Sequence, residues 1–116
     1  MIAAETFDDA RAFLVDLDGT LIHGRTLLPG ALDLLHWVRN RFAVVSNDAE
    51  HTPRQMALML QRLGVDVPES RIVLAGATTI DLLASEQPRA RVLLLASAAL
   101  QRYAVRAGLR LADETP

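Results

Sequence analysis

The chain has 116 residues, 51% of them apolar and 22% charged, a length and composition that fit one globular core and exclude a disordered tail, a collagen-like repeat or a coiled coil. Twelve basic against fourteen acidic side chains leave a net charge of -2, so no field draws in nucleic acid or an anionic membrane surface. The absence of cysteine removes disulfides, thiolate metal sites and cysteine nucleophiles together. No apolar run approaches the length of a membrane span, and the acids at Glu5, Asp8 and Asp9 are unlike a signal peptide. A soluble cytoplasmic protein is the resulting expectation. Every basic residue is arginine.

In chain order, Ala12 to Val15 is a short apolar run ending in Asp16 and bounded by a Gly19-Thr20 turn, which predicts a first buried strand. A loop is expected from His23 to Leu28. Pro29 and Gly30 then open a helix whose apolar face is Ala31, Leu34, Leu35 and Val38. Phe42 to Val45 predicts a second strand, closed by the polar residues Ser46, Asn47 and Asp48. Thr52, Pro53 and Gln55 fit the N-cap, first and third positions of a capping box, followed by the stripe Met56, Met59, Leu60, Leu63 and a stop at Gly64. Ile72 to Ala75 with Gly76 predicts a third strand, and Thr79 to Glu86 a helix with Ile80, Leu83 and Ala84 inward. Gln87 to Arg89 is the expected linker. Val92 to Ala96 predicts a fourth strand, Ser97 caps a helix bearing Leu100, Ala104 and Ala107 up to Gly108, and Leu109 to Leu111 begins another strand. The chain ends soon after, at Pro116, so the pattern reads as cut in mid-unit. Strands alternating with helices imply a parallel sheet covered by helices, an α/β fold.

The stretch that bears on chemistry is Phe13-Leu14-Val15-Asp16-Leu17-Asp18-Gly19-Thr20-Leu21. Two carboxylates at i and i+2 on extended backbone point the same way, and ligands of open α/β sheets bind at the carboxyl ends of strands. Like charges so close call for a divalent cation or a shared proton, and Mg²⁺ suits hard oxygen donors and arrives with substrate phosphate. Gly19 allows an immediate turn and a close approach of backbone N–H groups to an anion. The plain alternative is a pair of solvated acids at an Asp-Gly turn. A helix-flanked calcium loop fails, because Thr20 and Leu21 stand where it needs an oxygen ligand and a glycine. Ser46 and Asn47 end the second strand at the same edge and can bind phosphate oxygens.

Asp16-Leu17-Asp18-Gly19-Thr20-Leu21 resembles the first motif of the haloacid dehalogenase superfamily, and Ser46 matches the Ser or Thr of its second. The intervening His23-Gly24 and Leu28-Pro29-Gly30-Ala31, and then Leu63-Gly64-Val65-Asp66-Val67 and Ile72 to Leu83, are similar to its para-nitrophenyl phosphatase branch, which includes phosphoglycolate-type phosphatases with a large α/β cap. The resemblance implies a Rossmann-like parallel sheet with flanking helices, residues 1–87 forming the first part of that core and residues 88–116 the start of a cap. It implies Mg²⁺-dependent hydrolysis of a small phosphorylated metabolite through an aspartyl-phosphate, with Asp16 as nucleophile, Asp18 as acid and then base, and the metal held by Asp16 and by Asp18 through its backbone carbonyl. Ser46, Asn47, Leu17 and Gly19 are implied as phosphate contacts. This chain departs from the family at Asp48, where a second Asn is usual, and it lacks the third-motif Lys and the fourth-motif acidic pair. A truncated, non-catalytic module that binds Mg²⁺ or phosphate therefore stays open as a second reading, as does homo-oligomerisation. A phosphorylated receiver domain is disfavoured by the missing lysine. Trp37, Met56 and Met59 read as packing residues, the three histidines as ordinary, with His23 the nearest to the motif, and Arg25 as the arginine to test as a substrate contact.

Overall fold

The computed structural model describes residues 9–39 and 41–112; residues 1–8, Asn40 and 113–116, which fall within the two expected domain ranges, lie outside them. Three parallel strands, β1 (Phe13–Asp16), β4 (Phe42–Ser46) and β5 (Ile72–Leu74), form the main sheet in the order β1-β4-β5. Phe13 pairs with Phe42, Asp16 with Val45, and Ser46 with Leu74, so the strands finish at one edge. The α/β class and the parallel sheet follow the sequence reading.

Helix α1 (Ala31–Val38) joins β1 to β4, and α2 (Pro53–Arg62) joins β4 to β5. Ala31, Leu35 and Val38 of α1 and Met56 and Leu60 of α2 are buried with Val15, Val44, Ile72 and Leu74 of the strands. Both predicted stripes thus face the core. The opposite sheet face is more open: Leu14 is 77% exposed and Val73 is also exposed. The capping box of α2 is complete, with Thr52 Oγ1 accepting from the Gln55 N–H at 3.1 Å and Gln55 Oε1 accepting from the Thr52 N–H at 3.0 Å.

Five expectations need correction. The loop after the first motif contains a hairpin, β2 (Ile22–His23) and β3 (Thr26–Leu27), turned at Gly24, whose φ of 61° is the left-handed value that tight hairpins demand. Helix α3 (Ala75–Glu86) starts directly after β5, well before Thr79, because the Gly76 N–H finds an acceptor in the Asp48 carbonyl at 3.0 Å instead of in a strand. Of the run Val92 to Ala96 only the first residue is in a strand: β6 (Arg91–Val92) pairs in parallel with the two-residue β7 (Arg110–Leu111), and a ladder extends no further than its shorter member. Trp37 is 52% exposed and Ala107 is exposed, so neither packs as expected. Helix α4 (Ala98–Arg106) lies between β6 and β7, with Leu100 and Ala104 buried and Ser97 Oγ accepting from the Leu100 N–H at 3.2 Å. Tyr103 of α4 donates to Asp81 of α3 at 2.8 Å, tying this unit to the core.

Candidate active site

The end of β1 is built around Leu17. Its side chain is fully buried, which forces the flanking Asp16 and Asp18 outward, where both are exposed. Its carbonyl accepts the N–H groups of Thr20, Leu21 and Ile22 at 3.3, 2.9 and 3.1 Å. This knot turns the chain sharply at Gly19, whose φ is 82°. The Leu17 N–H continues the ladder to the Val45 carbonyl at 3.1 Å, and the Gly19 N–H goes to the Ile22 carbonyl at 2.8 Å. The two loop residues expected to meet phosphate have therefore already spent their N–H groups on the fold. Among the described residues no protein acceptor takes the N–H of Asp18 or of Asn47.

Ser46, the last residue of β4, places Oγ 3.4 Å from Asp18 Oδ2, and Thr20 Oγ1 is 3.5 Å from Asp16 Oδ2. These are long, weak hydrogen bonds. They bring Ser46 to Asp18 and Thr20 to Asp16, with Asn47 exposed on the residue after Ser46. His23 and Arg25 stand on the β2–β3 hairpin that follows the motif, both exposed. Among the described residues neither Asp16 nor Asp18 forms an ion pair, and no group of three or more acids, histidines or cysteines gathers to form a complete metal cage. The donor set present is two outward carboxylates. That fits Mg²⁺, which takes one or two protein carboxylates and keeps the rest of its octahedron for water and substrate oxygens.

Asp48, whose charge the sequence sets close to the phosphate position, is turned into its own loop. Its Oδ1 accepts from the N–H groups of Glu50 at 2.8 Å and His51 at 2.7 Å, and its Oδ2 lies 2.7 Å from His51 Nδ1. Burial raises its pKa, but the hydrogen bonds from the His51 ring and from the two backbone N–H groups outweigh that and hold it below the ordinary 3.8. The Asp48 N–H donates to Ser46 Oγ at 3.1 Å. His51 was missed as a partner; the Asp-x-x-His spacing directly before a helix cap is the signal that could have found it.

The parallel α/β sheet thus ends its first strand in Asp16, carries Asp18 two residues on, and ends the neighbouring strand in Ser46. The chain belongs to the haloacid dehalogenase-like hydrolase family, whose profile it matches over residues 13–110. An acid sugar phosphatase of Staphylococcus saprophyticus is 28% identical over 107 residues, 90% of this chain and 41% of that protein. A glycerol phosphate phosphatase from Mycobacterium tuberculosis, solved in complex with magnesium, shares 33% identity at a TM-score of 0.81 over 91% of this chain and 33% of its own. A 4-nitrophenylphosphatase from Thermotoga maritima superposes with a TM-score of 0.83 at 27% identity, over 95% of this chain and 43% of its own. The chain thus spans about two fifths of the length of the curated relatives it matches, in their N-terminal part. No helix among the described residues is long and apolar enough to cross a membrane.

Proposed function

We propose that this chain carries the nucleophile, the acid/base and part of the phosphate cradle of a Mg²⁺-dependent phosphatase acting on a small phosphomonoester. The observation that supports this most is the 3.4 Å approach of Ser46 Oγ to Asp18 Oδ2, which joins the ends of two strands into one polar edge. In this reading an Asp16 carboxylate oxygen attacks phosphorus in line, the bond to the ester oxygen breaks, and Asp18 gives that oxygen its proton. Asp18 then takes a proton from the water that attacks phosphorus and frees Asp16. Ser46, the Asn47 side chain and the open N–H groups of Asp18 and Asn47 hold phosphoryl oxygens. The Asp16 carboxylate and the backbone carbonyl of Asp18 would hold Mg²⁺, which when bound would supply neutralisation of the charge between nucleophile and phosphate. Residues 88–116, with β6, α4 and β7, are read as the opening of the cap, where the relatives' longer chains continue.

The test is Mg²⁺-dependent hydrolysis of para-nitrophenyl phosphate by the purified protein and by Asp16→Asn. Loss of turnover in the variant, with unchanged circular dichroism, is expected. Equal turnover in both would remove Asp16 from the role, and phosphate binding without any wild-type turnover would favour a non-catalytic module.

A further inference from the structure

We propose that Asp48 and His51 act as positioning residues for Ser46, clamping the β4–α2 loop so that the serine hydroxyl and the Asn47 N–H stay aimed at the Asp16–Asp18 edge; this rests on the phosphatase reading above. Asp48 is the junction of the loop. Its carboxylate gathers the Glu50 and His51 N–H groups and the His51 ring, its N–H holds Ser46 Oγ, and its carbonyl receives the Gly76 N–H from the first turn of α3.

The consequence for Ser46 is directional. With the Asp48 N–H donating to its oxygen, the hydroxyl keeps its own hydrogen for Asp18 Oδ2. The same hydrogen is then available to a phosphoryl oxygen, and the loop need not reorganise when phosphate enters. The clamp also disposes of Asp48's charge. A carboxylate satisfied by three donors within its own loop is turned away from an incoming anion, so an acid is tolerated one residue beyond Asn47. His51 adds the ring contact that an asparagine's oxygen-and-amide pair would meet differently, and the next residue, Thr52, fixes the start of α2 through its capping box.

Titration of the ¹⁵N-labelled protein with inorganic phosphate in the presence of Mg²⁺, read at the Asn47 amide, tests the clamp. Asp48→Ala, which removes the acceptor for both backbone N–H groups, is expected to weaken phosphate about tenfold or more. Asp48→Asn, which keeps an oxygen for them, is expected to stay within about threefold of wild type, a rescue that charge alone would not give. His51→Ala leaves both backbone contacts and serves if Asp48→Ala does not fold; its expected loss is about threefold, with faster amide exchange at Glu50. Wild-type affinity in both Asp48→Ala and His51→Ala overturns the clamp while leaving the phosphatase reading standing. Failure of the wild type to shift the Asn47 amide with phosphate overturns the phosphatase reading, and the positioning role with it.

Discussion

Replacing Gly76 by alanine sets two effects of opposite sign against each other at the second residue of α3. Helix propensity favours the change by up to about 1 kcal/mol, since alanine loses less backbone entropy than glycine. Packing opposes it: a Cβ on Gly76 would lie 2.9 Å from the Ala49 Cα, 3.1 Å from Leu100 Cδ1 and 3.3 Å from the Ala49 Cβ. The leucine methyl can rotate aside, but the Ala49 Cα is backbone, held in a loop pinned on both sides by Asp48 and by Ser97, whose hydroxyl donates to the Glu50 carbonyl. Overpacking against a fixed partner costs about 1–3 kcal/mol. The net expectation is a loss of about 1–2 kcal/mol, read as a lower urea midpoint at unchanged slope. Because the displaced segment begins two residues after Ser46, phosphate affinity should fall as well. A variant at least as stable as wild type would show that the loop yields easily, and would undo the argument that Gly76 is kept for want of space.

The chain's one tyrosine offers a spectroscopic check. Burial, then the Asp81 carboxylate, pushes Tyr103 up to about 12, so tyrosinate absorbance should rise near that pH in the folded protein and near pH 10 in urea. The linked stability is fully present below the unfolded value and is lost as pH rises toward the folded one; Tyr103→Phe should abolish this alkaline slope, and a folded midpoint near 10 would contradict it. Arg39 closes α1 at φ 52°, a conformation that side chains rarely adopt, so Arg39→Gly should stabilise by about 1 kcal/mol in urea unfolding. Asp48, depressed in the fold, contributes stability above its ordinary value near 3.8 that is lost as pH falls through the lower folded one. Acid unfolding below about pH 4 should accordingly be steeper in wild type than in Asp48→Asn, and superimposable curves would argue against the His51 contact in solution.

The parts of this molecule legible in its sequence are those with long or reciprocal signals. The α2 stripe and its capping box span a dozen residues whose types agree with one another, and the structure shows both reciprocal bonds. The acids at and just past the end of β1 and the serine at the end of β4 were readable because an extended chain alternates faces strictly. The β2–β3 hairpin was not, since two-residue strands have no period to read. Gly76 looked like punctuation because its role is steric and depends on Ala49 and Leu100 arriving from elsewhere in the chain. The run Val92 to Ala96 has strand composition, yet strand membership is conferred by a partner, and only Arg110 and Leu111 offer one. The fates of the Leu17 and Gly19 N–H groups and the Asp48–His51 contact are likewise matters of loop closure, in which several residues share one carbonyl or one carboxylate. Composition carries no record of that sharing.

In the proposed chemistry Leu17 would be the hinge pin, although it has no reactive atom. Because this wholly buried side chain sits between the two acids, the spacing of their carboxylates is a readout of the hydrophobic interior. A substitution in that interior, at Val44 or Leu21 for example, would register first as misalignment at the polar edge and only later as unfolding. Activity should therefore be a more sensitive thermometer of the interior than any melting curve, fading on warming while the secondary structure is still intact. Variants selected for a firmer interior would gain precision at the edge without any change to a polar residue.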